Sequence, residues 1–192
     1  VDVAPTAEAV VKLAWLIAAA AALLLLGGGA AVVVTLSERD RLRVALRAAS
    51  ARYNLPPEWL DAIAKVESSW RMGLVNGTGA DGKRGGSWGP TQISQKTARA
   101  SGYTGPMEAI RDDPEVAAEW SARILAASSP RDFADAVAAW NAGKYHADAN
   151  QDGELDAGEA PSITVDDYWP KATAALAYVQ ENPPDDGTEA AA

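Results

Sequence analysis

PEWLDAIAKVESSW, residues 57–70, has the pattern of a helix with one apolar side and an acid near its end. Leu60, Ile63 and Ala64 fall at helical spacing, and Glu67 joins them on the same face. Leu55-Pro56-Pro57 breaks the preceding segment, and Pro57 suits a first helical position, where its missing N–H has no partner to lose. Ile63, Ala64, Val66 and Trp70 are the neighbours that this helix offers Glu67. Partial burial among them disfavours ionisation and raises the carboxyl pKa, as a general acid near neutral pH requires. For an isolated Glu the ordinary alternative is a solvated helix residue.

Working outward, SERDRLRVALRAASARYN (37–54) reads as a helix with Ser37 as N-cap and Leu42, Ala45, Leu46 and Ala49 as its inner side. Downstream, residues 71–93 hold seven Gly in 23 positions and no helical period, so this region is a long loop or small hairpin. Ser94 to Ala100 is a short helix. Asp113-Pro114 is a cap and first-turn signal for a helix to about Ala127. Asp132 opens another, FADAVAAWNAG, which Gly143 stops. A last helix runs from near Pro170 to Gln180, and the tail, 182–192, is acid- and Pro-rich and expected to be mobile. No internal repeat is present. Residues 37–181 thus read as one mostly helical domain.

The chain has 192 residues, with 17 Lys and Arg against 26 Asp and Glu, a net charge of −9. Such acidity excludes a nucleic-acid binder, which needs a basic face for phosphates. No Cys is present, which removes disulfides, thiolate zinc sites and thiol catalysis. A single His, His146, cannot form a His-based metal triad and argues against a Ser-His-Asp system. Proton chemistry therefore falls to carboxylates. Seven Trp and five Tyr against one Phe suit sugar contacts, as they also suit core packing.

Residues 13–36, LAWLIAAAAALLLLGGGAAVVVTL, contain no charge. As a helix they would extend about 36 Å, enough for a hydrocarbon core of about 30 Å. A transmembrane helix over 13–36, behind an N-terminal segment 1–12, is the favoured reading, with a signal peptide and a buried core helix as alternatives. Arg39, Arg41, Arg43 and Arg47 follow the span and only Lys12 precedes it, so the positive-inside rule would keep the following domain in the cytoplasm.

Four short segments occur in order: Glu67-Ser68-Ser69-Trp70 ending a helix, Gly89-Pro90-Thr91-Gln92-Ile93 after the Gly-rich region, Trp140-Asn141-Ala142-Gly143 ending a later helix, and Tyr178-Val179. In this the chain resembles, over about residues 50–180, the lytic transglycosylases of the soluble-transglycosylase type, related in fold to goose-type lysozyme. The resemblance implies a mainly α, lysozyme-like domain and peptidoglycan glycan strands as substrate. It makes Glu67 a single catalytic acid and base, which cleaves between N-acetylmuramic acid and N-acetylglucosamine and leaves a 1,6-anhydro ring. Gln92 and Asn141 would hold sugar amides or orient the ring, or else satisfy loop backbone. Tyr178 would sit beside Glu67, Ser69 would cap the helix or touch substrate, and Trp88 would stack on a sugar face. Trp140, also in the substrate-contacting set, replaces the family's usual Tyr and removes a hydroxyl near the catalytic carboxylate. Pro90-Thr91 replaces an apolar pair. Hydrolysis of the lysozyme kind stays open if Asp61, Asp81 or Glu108 approaches Glu67.

Residues 148–159, DANQDGELDAGE, match the EF-hand calcium loop at every fixed position. Asp148, Asn150 and Asp152 would give side-chain oxygens, Glu154 its carbonyl, Asp156 a direct or water-borne oxygen, and Glu159 both carboxylate oxygens. Gly153 supplies the sharp turn and Leu155 the apolar middle. An acidic surface turn is the alternative. A lone loop favours a structural Ca2+ over a sensor. The first functional expectation is therefore a membrane-anchored transglycosylase facing the periplasm or cell wall. A virion component that opens the wall would escape the charge rule, because the host does not insert it. A non-catalytic wall-binding or scaffolding protein of the same fold and a membrane-tethered calcium sensor are the readings from other classes.

Overall fold

The computed structural model describes residues 36–78, 84–143 and 148–186. The expected span at 13–36 and the segment 1–12 before it lie outside them but for Leu36, as do Asp81, His146 and the end of the tail from residue 187. Among the described residues no helix is long and apolar enough to cross a membrane.

Helix α1, Glu38–Arg52, begins where expected: Ser37 Oγ accepts the Asp40 N–H at 3.1 Å. Glu38 and Asp40 in its first turn and Arg52 in its last complement the helix dipole. Leu42, Leu46 and Ala49 are fully buried. Helix α2, Pro57–Ser68, has Pro at its start and buries Leu60, Ile63 and Ala64 completely. Burial of each leucine or isoleucine contributes roughly 1.5–3 kcal/mol. The chain leaves α2 through two consecutive non-glycine residues in left-handed conformation, Ser69 (φ 55°) and Trp70 (φ 61°). Their N–H groups return to the carbonyls of Lys65 and Ala64.

The Gly-rich region is a small antiparallel sheet in the order β1-β2-β3, comprising Val75–Thr78, Arg84–Trp88 and Ile93–Ser94. Val75 pairs with Trp88, which pairs in turn with Ile93, and an irregularity lies between Asn76 and Thr78. Helices α3 (Gln95–Ala100, capped by Ser94), α4 (Met107–Asp112) and α5 (Pro114–Ala126, capped by Asp113) follow. Helix α4 was not expected from the sequence, being too short to show a period.

The segment after Asp132 departs from the continuous helix expected. Helix α6 covers only Phe133–Val137, and Ala138–Ala142 forms a π-helical turn ending at Gly143. A second π-helical turn, Ile163–Tyr168, leads directly into α7, Trp169–Glu181. π-Helical turns are rare and concentrate at functional sites.

The main core joins α1, α2, α5, α6 and α7 around Leu42, Leu46, Leu60, Ile63, Leu125 and Val179. A smaller one, around Ile93, Met107 and Ile110, seats the sheet on α3 and α4. Trp140 packs against both, so the first π turn sits at their junction. An ionic cluster spans the main core. Arg43 and Arg47 bind the fully buried Asp61, which also accepts the Trp70 indole N–H at 2.8 Å. The same two arginines reach the Asn182 and Val179 carbonyls at 2.6 and 2.7 Å and so close the end of α7.

Candidate active site

Glu67 lies in the last turn of α2, half-buried. Its Oε1 accepts the Tyr168 hydroxyl at 2.7 Å. Burial raises the Glu67 pKa above the ordinary carboxylate value, and the Tyr168 hydrogen bond, which favours the anion, opposes this only in part. Burial, together with the charge and hydrogen bond of Glu67, lifts the Tyr168 phenol well above its usual range. Tyr168 therefore remains a hydroxyl donor wherever Glu67 titrates. A carboxyl whose pKa burial has raised, with one fixed donor on one oxygen, is equipped first to give a proton and then to take one back.

Tyr168, not Tyr178, is the tyrosine at the carboxylate. Tyr178 projects from near the C-terminal end of α7, where it is 41 % exposed, and its ring lies 6.1 Å from that of Trp70 with Lys65 Nζ 3.7 Å from its centroid. The phenol that reaches Glu67 comes from the second π turn. The available signal was its place directly before Trp169-Pro170, which open the last helix.

The other expected site residues divide. Asn141 is exposed on the first π turn, and its Oδ1 accepts the Thr164 hydroxyl at 2.7 Å, joining the two π turns. Gln92, at φ 55°, donates through Nε2 to the Gly89 carbonyl at 2.7 Å and closes the turn between β2 and β3. Ser69 is exposed at the end of α2, and Trp88 is half-buried on β2. Thr91, where an apolar residue was expected, is fully buried, with its hydroxyl paired to Ser121 on α5 at 2.7 Å. The departure from an apolar pair is thus accommodated by a matching hydroxyl. Gly89 is required by geometry: at φ 73°, a Cβ would stand 2.3 Å from the Ile110 carbonyl oxygen.

Of the possible second carboxylates, Asp61 is bound by two arginines and an indole inside the core and is not free to act on a substrate. Glu108 is exposed on α4.

In the acidic loop, Asp148 is fully buried and accepts the Gln151 and Gly153 N–H groups. Glu159 accepts from Ala149, Asn150 and Asp156, while Asn150 Nδ2 touches Asp152 and Asp156. Among the described residues no group of three or more His, Cys, Asp or Glu side chains is gathered around one point. The donors are nonetheless all oxygens, four carboxylates and an amide, and this chemistry fits a hard cation such as calcium.

The family model for the transglycosylase SLT domain matches residues 45–160, which include Glu67, the Gly89–Ile93 turn and the Trp140–Gly143 segment. The chain belongs to this family. Members of the SLT family are lytic transglycosylases, so the domain is of the kind that cleaves peptidoglycan glycan strands. The mainly helical architecture agrees with a lysozyme-like SLT domain. No curated protein and no solved structure matches the chain significantly. Tyr168 falls just beyond the SLT match, so its place at Glu67 comes from the geometry alone.

Proposed function

We propose that this SLT domain is a lytic transglycosylase in which Glu67 alone serves as acid and base. The carrying observation is the Tyr168–Glu67 pair: a carboxyl with raised pKa, one fixed phenol donor and, among the described residues, no second acid hydrogen-bonded to it. Protonated Glu67 gives its proton to the oxygen linking N-acetylmuramic acid to N-acetylglucosamine, and the C1–O bond breaks. The Glu67 carboxylate then takes the proton of the muramoyl C6 hydroxyl as O6 closes on C1. No water is consumed, and Glu67 ends protonated as it began. Tyr168 steadies the anionic intermediate form. Ser69, Trp88, Gln92, Trp140 and Asn141 contact the glycan, with Gln92 and Asn141 presenting what their internal hydrogen bonds leave available.

The loop 148–159 belongs to the same proposal as a calcium site held by Asp148, Asn150, Asp152, the Glu154 carbonyl, Asp156 and Glu159. Residues 13–36 act as a membrane anchor, and the domain faces the wall, in a bacterial envelope or delivered by a virion. Two of the arginines that argued for the opposite orientation, Arg43 and Arg47, have a structural duty on Asp61 and α7. Their presence needs no topological explanation.

Mass spectrometry of muropeptides released from purified peptidoglycan tests the reading, with Glu67→Gln as control. Products one water lighter than reducing-end muropeptides, absent from the control, are expected. Ordinary reducing-end products would make this a lysozyme-like hydrolase. No release by the folded, calcium-loaded protein would leave a non-catalytic wall binder.

A further inference from the structure

The acidic loop is tied to the catalytic centre by contacts that a merely local ion site would not need. At its start, the Asp148 N–H donates to Asp135 Oδ1 at 2.9 Å, and Arg131 clamps the Asp135 carboxylate at 2.7 Å and also binds the Asp148 carbonyl. Asp135 lies on α6, which runs straight into the first π turn. In its middle, Leu155 is buried in the same core as Tyr168 and Trp169. Between these, exposed Glu154 accepts the Trp169 indole N–H on Oε2 at 3.0 Å. In an EF-hand loop this position offers its main-chain carbonyl to the ion, which leaves the side chain for other work. Here that side chain holds the residue next to Tyr168.

The second π turn is therefore gripped at both ends, by Asn141 on Thr164 and by Glu154 on Trp169. A π turn carries one more residue than an α turn, so relaxation to α-helical register would rotate Tyr168 by about 100°. Such a rotation would take the hydroxyl off Glu67. The Trp169 ring is further seated against Phe133, at 6.0 Å, and Phe133 against Trp59 of α2, at 6.1 Å. The loop thus touches the segment before one π turn and the residue after the other.

We propose that Glu154 and Trp169 are positioning residues through which the loop 148–159 sets Tyr168 against Glu67, so that loading the loop with calcium regulates the transglycosylase reaction. The proposal rests on Glu67 as the reacting acid and on calcium in the loop. Its test separates it from both. Calorimetry with calcium chloride on the full chain comes first, followed by amide hydrogen exchange of residues 163–169 with calcium and with chelator. In the parent protein, calcium should bind and slow exchange in 163–169 about tenfold, the protection one hydrogen bond supports. Glu154→Ala, which keeps the main-chain ligand, should still bind calcium but lose that protection, whereas Glu154→Gln, which keeps an acceptor for the indole, should retain it. In muropeptide assays, calcium should raise kcat more than it lowers KM in the parent and in Glu154→Gln only. Absence of calcium binding would overturn the proposal. So would bound calcium with unchanged exchange in the parent, or equal protection in Glu154→Ala. The exchange result decides the coupling whether or not muropeptides are released, and their release judges the transglycosylase reading separately.

Discussion

Asp61→Asn separates a structural carboxylate from a catalytic one. Asp61 is fully buried, accepts from Arg43 at two points of 3.0 Å and from Arg47 at 2.9 Å, and lies on the same helix as Glu67. The substitution preserves shape but leaves the Arg43 guanidinium, only 4 % exposed, without its anion, while Arg47 keeps Glu58 at 3.6 Å. Removing one partner of a buried ion pair costs about 3–5 kcal/mol. For a domain of this size, each kcal/mol lowers Tm by about 2–4 °C, so the expected fall is about 6–20 °C. Thermal unfolding by circular dichroism measures it, and muropeptide release well below the lowered Tm measures what chemistry survives. Activity there should stay within about threefold of the parent, because nothing ties Asp61 to the reacting atoms. The double variant Arg43→Met/Asp61→Leu should recover part of the loss, because both charges of the pair are gone. A Tm fall below about 3 °C would refute the energetic reasoning. An unchanged Tm with abolished turnover would make Asp61 the second carboxylate of a hydrolase.

Three further outcomes follow from the site. Tyr168→Phe removes the hydrogen bond that holds Glu67 toward its anion, so the alkaline limb of the pH–rate profile should move upward, and a limb that stays or falls would contradict the assigned role. Glu67→Gln should gain stability relative to the parent as pH rises. A raised folded-state pKa stabilises the parent fully below the ordinary carboxyl value, and this contribution is lost as pH climbs through the raised one. Urea unfolding at acid and neutral pH checks the sign, and a difference that shrinks with pH would refute it. Gly89→Ala forces a Cβ to 2.3 Å from the Ile110 carbonyl at a left-handed φ. It should cost at least about 2 kcal/mol and loosen the Gln92 turn, as a denaturant midpoint would show.

What could be read from the chain was largely local. Ser37, Ser94, Asp113 and Asp132 each cap the helix that follows, because a side chain two or three residues from the N–H it satisfies leaves its mark in a short window. Pro57 and the Leu60–Ile63–Ala64 spacing located α2 for the same reason, and with it Glu67. The π turns left no such trace, since Ala138–Ala142 reads equally well as α-helix and one inserted residue changes no composition. The family resemblance points to Tyr178 in the last helix, whereas the phenol on Glu67 is that of Tyr168 at the helix entrance, on the second π turn. The burial of Asp61 was likewise invisible, because its partners Arg43 and Arg47 belong to another helix and read as surface charge. The sheet was foreseen only as a possible hairpin, since strands such as Arg84–Trp88 contain glycines and few β-branched residues.

Arg43 and Arg47, in holding the last carbonyls of α7, bring the beginning and the end of the domain to one place. A domain whose entry and exit coincide can be set into a longer polypeptide as an insertion, through two neighbouring junctions, as readily as it can be appended at one end. The same closure makes it a candidate for circular permutation, with new termini opened at an exposed loop and the old ones joined by a short linker.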